Sequence, residues 1–351
     1  MYPARVLPTL IDQLKRAQAL SPEQIAEAVR HLTTDDAAVE SKSEFLAALA
    51  AKGESAGEIA SFATELRALS VQPPLDAETR SREILDVCGT GGDHLGTFNI
   101  STTVAIVCAA AGITVAKHGN RAITSKAGSA DVLEALGVKI DLSPQEASRN
   151  LREHGFAFFF APNYHPAFKH IGPARKLCAS RGQRTIFNIL GPLLNPARPT
   201  AQLIGVPSPA LCEPMAQVLQ RIGVRRGIVV CGEVTGGKYL DEFSSLGTNT
   251  IAEFYQERGF TSSTMDANQF PIQPAKLEDL LGGDRETNAQ IIRQILRGED
   301  RGPKRDAVLL NASAALFVAG SVRSMLDGWE KAAQTLDSGA GWKKLESLRS
   351  A

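Results

Sequence analysis

The chain has 351 residues, 43% of them hydrophobic, and its 38 basic and 38 acidic side chains cancel to no net formal charge. That is enough apolar material for one large core, or for a large one and a small one. Balanced charge with no basic run longer than two residues argues against a nucleic-acid partner and against a polybasic membrane anchor, since both need clustered cations.

Met1–Leu20 lacks a charged start followed by an apolar stretch, so no secretory signal is expected. The longest nearly uncharged apolar run, 100–116, is broken by Ser101, Thr102, Thr103, Gly112 and Thr114, and reads as buried structure rather than a bilayer span. Five scattered cysteines (Cys88, Cys108, Cys178, Cys212 and Cys231) include no pair at metal-ligand spacing, which points to reduced thiols in a cytoplasmic protein.

In chain order, residues to about Val71 read as successive helices. Leu7, Leu10, Ile11 and Leu14 recur at helical spacing, and Ser21-Pro22-Glu23-Gln24 has an N-cap, a first-turn proline and acidic character. Thr34-Asp35-Asp36 and Ser41 offer further helix starts, Phe45, Leu46 and Leu49 form an apolar face, and 59–69 is amphipathic after a turn at 53–57. Pro73-Pro74 reads as a linker. From Ile84 strands alternate with helices. Strands are expected at 84–88, 113–116, 156–160, 200–206, 226–231 and 248–254, and helices at 100–111, 130–136, 144–154 and 211–222. That alternation predicts an α/β sheet covered on both faces, with ligands beyond the carboxyl ends of its strands. From Asn288 the chain reads as mostly helical again.

Four segments carry chemistry. Cys88-Gly89-Thr90-Gly91-Gly92-Asp93 follows a strand, and Asn99, Ser101 and Thr102 open the next helix. Glycines let backbone N–H groups approach an anion, and a helix N-terminus attracts phosphate. The loop lacks the Lys-Ser/Thr ending of a P-loop and the dinucleotide-binding spacing, and a tight turn with a capping Asn is its plain alternative. Lys117-His118-Gly119-Asn120-Arg121, followed by 124–131, places cations, an amide and hydroxyls after the strand 113–116, as a multiply charged phosphate ester requires; otherwise it is a solvated loop with a surface histidine. Asp241-Glu242, behind Gly236-Gly237-Lys238-Tyr239-Leu240, supplies hard oxygens suited to Mg²⁺, although adjacent carboxylates are more often surface charge. The fourth segment runs from Pro173-Ala174-Arg175 through Arg184–Asn188 to Gly191–Pro196; an arginine there could hold a substrate carboxylate by two parallel bonds.

Taken together, these segments resemble the anthranilate phosphoribosyltransferases. The resemblance rests on 89–93, 97–102, 117–121, 128–134, 185–188, 191–193, Asp241-Glu242 and 337–339, in one order along almost the whole chain. It implies a small, mostly helical N-terminal domain (1–75, with a returning helical segment near 165–190) and a larger α/β domain (76–351), whose central, mainly parallel sheet is flanked by helices. The resemblance further implies an active site in the hinge between the two and a homodimer made through the helical domain. It also implies that phosphoribosyl pyrophosphate (PRPP) binds to Gly89, Gly92, Asp93, Thr97, Asn99, Ile100, Ser101 and Thr102, to Lys117, His118, Gly119, Asn120, Arg121, Ala122, Ile123, Thr124 and Ser125, and to Ser129. Anthranilate would contact Gly89, Asn120 and Arg175, and Mg²⁺, as two ions, would bind Ser101, Asp241 and Glu242. One departure stands out. Arg175 and Arg184 are nine positions apart where the family usually has six, so three residues are inserted beside the expected carboxylate-binding arginine, with Arg181 as a substitute for it.

An aromatic amine is neutral at pH 7, so no nucleophilic or general-base residue is expected; positioning and electrostatics carry the reaction. The alternatives are another aromatic amine as acceptor, a pyrimidine nucleoside phosphorylase, which needs no acidic metal pair, and a non-catalytic nucleic-acid-binding paralogue.

Overall fold

The computed structural model describes residues 6–122, 126–256 and 259–351. Four helices come first: α1 (Val6–Lys15), α2 (Pro22–Leu32), α3 (Val39–Lys52) and α4 (Ala56–Ala68). Ser21 and Ser55 each accept a hydrogen bond from the backbone of the third helical residue, and the Gln24 and Glu58 side chains reciprocate, which fixes where α2 and α4 begin. The starts expected at Thr34-Asp35-Asp36 and Ser41 are not used. Thr33 and Thr34 instead donate to the carbonyls of Val29 and Arg30, closing α2, and α3 begins after Ala38 without a side-chain cap.

Glu58 also joins this bundle internally. It accepts from Leu20 N at 3.0 Å, from Ser55 N at 2.9 Å and from Lys52 Nζ at 2.8 Å, and both charged side chains are almost wholly buried. Although burial opposes it, these bonds hold the Glu58 carboxyl below its usual range. Glu58→Ala strands the Lys52 ammonium and should cost about 3–5 kcal/mol. Urea unfolding at pH 7 measures this, and a midpoint equal to wild type would contradict it.

After the short α5 (Ala77–Ser81), which has no apolar periodicity to mark it, the α/β body follows: β1 (Ile84–Gly89), α6 (Ile100–Ala110), β2 (Thr114–Gly119), α7 (Ser129–Ala135), α8 (Pro144–His154), β3 (Phe156–Phe160), α9 (Ala161–Tyr164), α10 (Gly172–Ser180), α11 (Phe187–Leu190), β4 (Ala201–Gly205), α12 (Cys212–Arg221), β5 (Arg226–Val234), β6 (Lys238–Leu240), β7 (Thr248–Tyr255) and β8 (Gly259–Asp266). Four helices close the chain: α13 (Arg285–Leu296), α14 (Pro303–Val318), α15 (Met325–Asp337) and α16 (Ala340–Arg349). The sheet order is β3-β2-β1-β4-β5-β7-β8, with β6 paired to β5. The strands from β3 to β5 run parallel, while β6, β7 and β8 pair antiparallel. The expected mainly parallel sheet flanked by helices is what forms. β6 and β8 are additions to the expected strands: β6 lies where a glycine turn is expected, and β8 is exposed and hydroxyl-rich, with no apolar alternation to reveal it.

Strand alternation divides the core. Leu85, Val87, Phe156, Phe158, Leu203, Ile228 and Val230 pack with α6, α14 and α16 on one face. Ile204, Val229 and Cys231 face α12 and the helical bundle on the other. α10 docks on α3, where Lys42 Nζ donates to the His170 carbonyl at 3.1 Å and Ser43 Oγ lies 3.2 Å from Cys178 Sγ.

Candidate functional site

The carboxyl ends of β1, β2 and β6 open into a cleft of about 580 Å³. Its first wall is the 89–99 loop. Gly91 and Gly92 sit at φ 79° and 92°, conformations that favour glycine. Thr90 N donates to the Gly205 carbonyl at 2.9 Å, and Phe98 N donates to the Leu280 carbonyl at 3.1 Å, so the loop is fixed at both ends. Asn99 stands at the N-cap of α6 but makes no capping bond. Its Nδ2 donates to the Ala127 carbonyl, and its Oδ1 accepts from Asn288 Nδ2 at 2.8 Å, so it links both walls of the cleft to α13. Asn288, absent from the expected site, carries no motif that would single it out. Thr102 Oγ1 is buried without a hydrogen-bond partner, at a helix end suited to anions.

Lys117, His118 and Gly119 differ from expectation. They belong to β2, not to a loop after it, because β2 hydrogen-bonds on both sides and its register with β3 continues through Gly119–Phe160. Lys117 is therefore buried, 1% exposed, and its Nζ donates to the Val87 carbonyl at 2.7 Å and lies 3.5 Å from Ser101 Oγ. His118 is buried rather than on the surface. Its Nε2 lies 3.3 Å from Nε2 of His165, a residue given no chemistry from sequence. At that spacing one ring donates and the other accepts.

Burial pushes His118 down to about 3 and His165 to about 4, below the 6.5 of an unfolded chain. The fold thus binds fewer protons than the unfolded state. Stability is fully present above pH 6.5 and declines as pH falls toward the folded values. Each histidine costs about 1.4 kcal/mol per pH unit in that window, so the pair should remove on the order of 3–4 kcal/mol by about pH 5. Urea midpoints of wild type and His165→Asn at pH 7.5 and 5 test this; equal pH slopes would count against it.

Beyond β2 the chain turns through Asn120, Arg121 and Ala122. Asn120 Oδ1 accepts from Arg121 N at 2.7 Å. Asp131 accepts from Ala122 N and Gly128 N, both at 2.9 Å, and thereby shapes the turn. The exposed Arg121 guanidinium is paired with Glu134 and Asp131. Ser129 lines the cleft at the start of α7, whereas Ile123, Thr124 and Ser125 lie outside the described residues.

The third wall is Asp241-Glu242. Asp241 Oδ2 accepts from Gly91 N at 2.6 Å, and Glu242 Oε1 accepts from Ser101 N at 3.1 Å. A Cβ at Gly89 would strike the Asp241 carboxylate, and one at Gly205 would strike the Asp241 backbone. Close packing of this segment over β1 and β4 thus requires glycine at the two residues that pair in register. Burial, then the nearby Asp93 and Glu242, push the Asp241 carboxyl well above its usual range; burial also raises Glu242, with Lys117 opposing. Among the described residues no group of three or more His, Cys, Asp and Glu is placed to hold a metal by itself. A carboxylate pair held back from ionising, Glu242 buried and Asp241 half-buried, nevertheless fits a hard cation that keeps waters and shares ligands with a substrate's phosphates, as Mg²⁺ does.

Arg175 is not brought to this cleft. It lies on α10, half-buried, with its guanidinium 5.1 Å from the centre of the Phe187 ring, and burial lowers its pKa. Phe187 meets Phe168, which stacks on His165, so a line of rings joins Arg175 to His118. The inserted residues form a turn closing α10, with Arg181 N and Gln183 N donating to the Cys178 carbonyl and Gly182 at φ 66°. Arg181 and Arg184 are exposed.

Residues 81–342 match the model of the glycosyl transferase family a/b domain, and 8–70 match its helical bundle domain. The anthranilate phosphoribosyltransferase of Roseiflexus castenholzii is 45% identical over 96% of each chain, and that of Methanocorpusculum labreanum is 45% identical over 87% of this chain and 86% of its own. Among solved structures, the anthranilate phosphoribosyltransferase of Thermus thermophilus superposes with a TM-score of 0.87, at 39% identity over 97% of this chain and 98% of its own. The Saccharomyces cerevisiae enzyme in complex with PRPP and Mg does so with a TM-score of 0.83, at 26% identity over 97% of each chain.

Proposed function

The chain belongs to the anthranilate phosphoribosyltransferase family, and from that membership we propose the reaction and the role of each residue. It transfers the 5-phosphoribosyl group of PRPP to the amine of anthranilate, giving N-(5-phosphoribosyl)anthranilate and pyrophosphate, a step of tryptophan biosynthesis. The reaction uses Mg²⁺. One observation carries the reading: two glycine-lined phosphate loops and an adjacent carboxylate pair converge on one cleft at the carboxyl ends of parallel strands.

PRPP lies between the 89–102 loop, the end of β2 and the turn behind it, with the residues expected from sequence as its contacts. Ser101, Asp241 and Glu242 would hold two Mg²⁺ ions, which would supply positive charge against the phosphates. The backbone N–H groups of Gly92, Asp93 and Thr102, whose neighbours Gly91 N and Ser101 N already donate to Asp241 and Glu242, stabilise the negative charge that grows on the leaving pyrophosphate as the bond to ribose C1 breaks. Lys117 reinforces them from below through Ser101. Gly89, Asn120 and Arg175 orient the acceptor. Arg175 sits in a half-buried position without an ion pair in the described structure, so its charge is available for the anthranilate carboxylate. It reaches the acceptor when the helical body (1–75 with 165–190) closes on the α/β body (76–351), and that closure also excludes water. The chain acts as a cytoplasmic homodimer joined through its helical domain. None of its described helices is long and apolar enough to cross a membrane.

Anthranilate fluorescence tests the reading. Emission should fall only when PRPP and Mg²⁺ are both supplied. Phosphate-dependent cleavage of thymidine or uridine with unchanged anthranilate emission would overturn it.

A further inference from the structure

At the amino ends of the strands, opposite the cleft, lies a second cavity of about 220 Å³. It is lined by Thr64 and Arg67 of α4, Arg198 and Thr200 ahead of β4, and Ile222 and Gly223 behind α12. The register sets its place. β4 and β5 start as the pair Ala201 and Arg226, next to this cavity, while the cleft is lined by Gly89, the register partner of Gly205 at the other end of β4. The five residues of β4, about 16 Å of strand, lie between the two.

Arg67 is 8% exposed. Its Nη1 reaches the Ile222 carbonyl at 3.5 Å, and its Nε has no hydrogen-bond partner. No carboxylate is found among the described residues lining the cavity. The charged neighbour of Arg67 is instead a second cation, the exposed Arg198, and burial together with that neighbour brings the Arg67 guanidinium down to about 10. Arg80, whose Nη1 donates to the Ala197 carbonyl at 2.6 Å, is also within reach of the Arg198 charge. A buried guanidinium with an unused N–H and a like charge beside it destabilises the fold unless an anion completes it. Planar guanidinium groups match the paired oxygens of an oxyanion, and two adjacent positive charges favour a dianion over a single carboxylate.

We propose that this cavity binds a phosphate-type oxyanion, inorganic phosphate or one end of pyrophosphate, separately from the catalytic cleft. Arg67 belongs to the helical bundle and Arg198 to the sheet body. An anion held by both therefore fastens the two together at the end away from the cleft.

Equilibrium dialysis of the full chain against radiolabelled inorganic phosphate, and separately pyrophosphate, compares wild type with Arg67→Met and Arg198→Glu. Both variants should lose one equivalent of bound phosphate. Loss in the phosphate arm alone assigns the site to the single phosphate, and loss in both arms extends it to pyrophosphate. Arg198→Glu gives Arg67 an internal anion, so it should melt above wild type in phosphate-free buffer, gain less from added phosphate and transfer phosphoribosyl at the wild-type rate. It remains readable if Arg67→Met does not fold. Arg198→Glu with wild-type stoichiometry in both arms and a wild-type response of melting temperature to phosphate would overturn the proposal. Because binding is read without turnover, this result is independent of the catalytic assignment.

Discussion

Asp241→Ala and Glu242→Ala should each lower turnover by about 10²–10³-fold, the loss typical of one transition-state polar contact worth about 2.7–4 kcal/mol. Each should also raise the Mg²⁺ concentration needed for half-maximal rate. The two carboxylates share the cleft with Asp93, and burial with mutual repulsion works against their ionisation. Removing Asp241 relieves that repulsion, so Asp241→Ala should melt no lower than wild type, which separates a catalytic loss from a structural one, whereas Glu242→Ala also takes a carboxylate from the buried Lys117 and should melt lower. Activity titrated against Mg²⁺, beside a melting curve, decides the matter. Unchanged metal dependence in both variants would remove the pair from the metal site.

Gly205→Ala should reproduce much of that loss without deleting a polar group. Gly205 ends β4, pairs with Gly89 in register, and lies directly under the Asp241 backbone. An added methyl cannot be absorbed by a flexible side chain there, because the atoms in its way are main chain. The Asp241-Glu242 segment must rise, which draws Asp241 from Gly91 N and Glu242 from Ser101 N. Overpacking of this kind costs about 1–3 kcal/mol of stability. The expected signature is a weaker Mg²⁺ response together with a lower melting temperature, measured on the same preparation. A variant with wild-type metal dependence would mean that the segment does not rest on the strand ends in the way that positions its carboxylates.

Much of this site can be read from the sequence, and for a physical reason. Gly89 to Asp93, Asn99 to Thr102 and Asp241-Glu242 are short local patterns whose chemistry follows from neighbouring residue types. The parts that escape depend on which strands pair and how far. Lys117 and His118 look like loop residues because they are polar; only the continued register with β3 places them inside the sheet. Gly205 looks like any strand-terminal glycine until a distant carboxylate segment is laid across it. Asn288 and His165 act through contacts with Asn99 and His118, 189 and 47 positions away, which no local pattern shows. The same holds for secondary structure: apolar alternation marks the central strands, whereas β8, exposed and rich in serine and threonine, shows none. Arg175 can be picked out as a candidate, but its distance from the donor cleft cannot.

A crystal structure of the wild-type chain with PRPP and Mg²⁺ would test the donor site most directly. The pyrophosphate should lie against the 89–93 loop and the start of α6, with metal between its oxygens and Asp241 and Glu242. Donor density outside that cleft, or metal remote from both carboxylates, would refute the assignment.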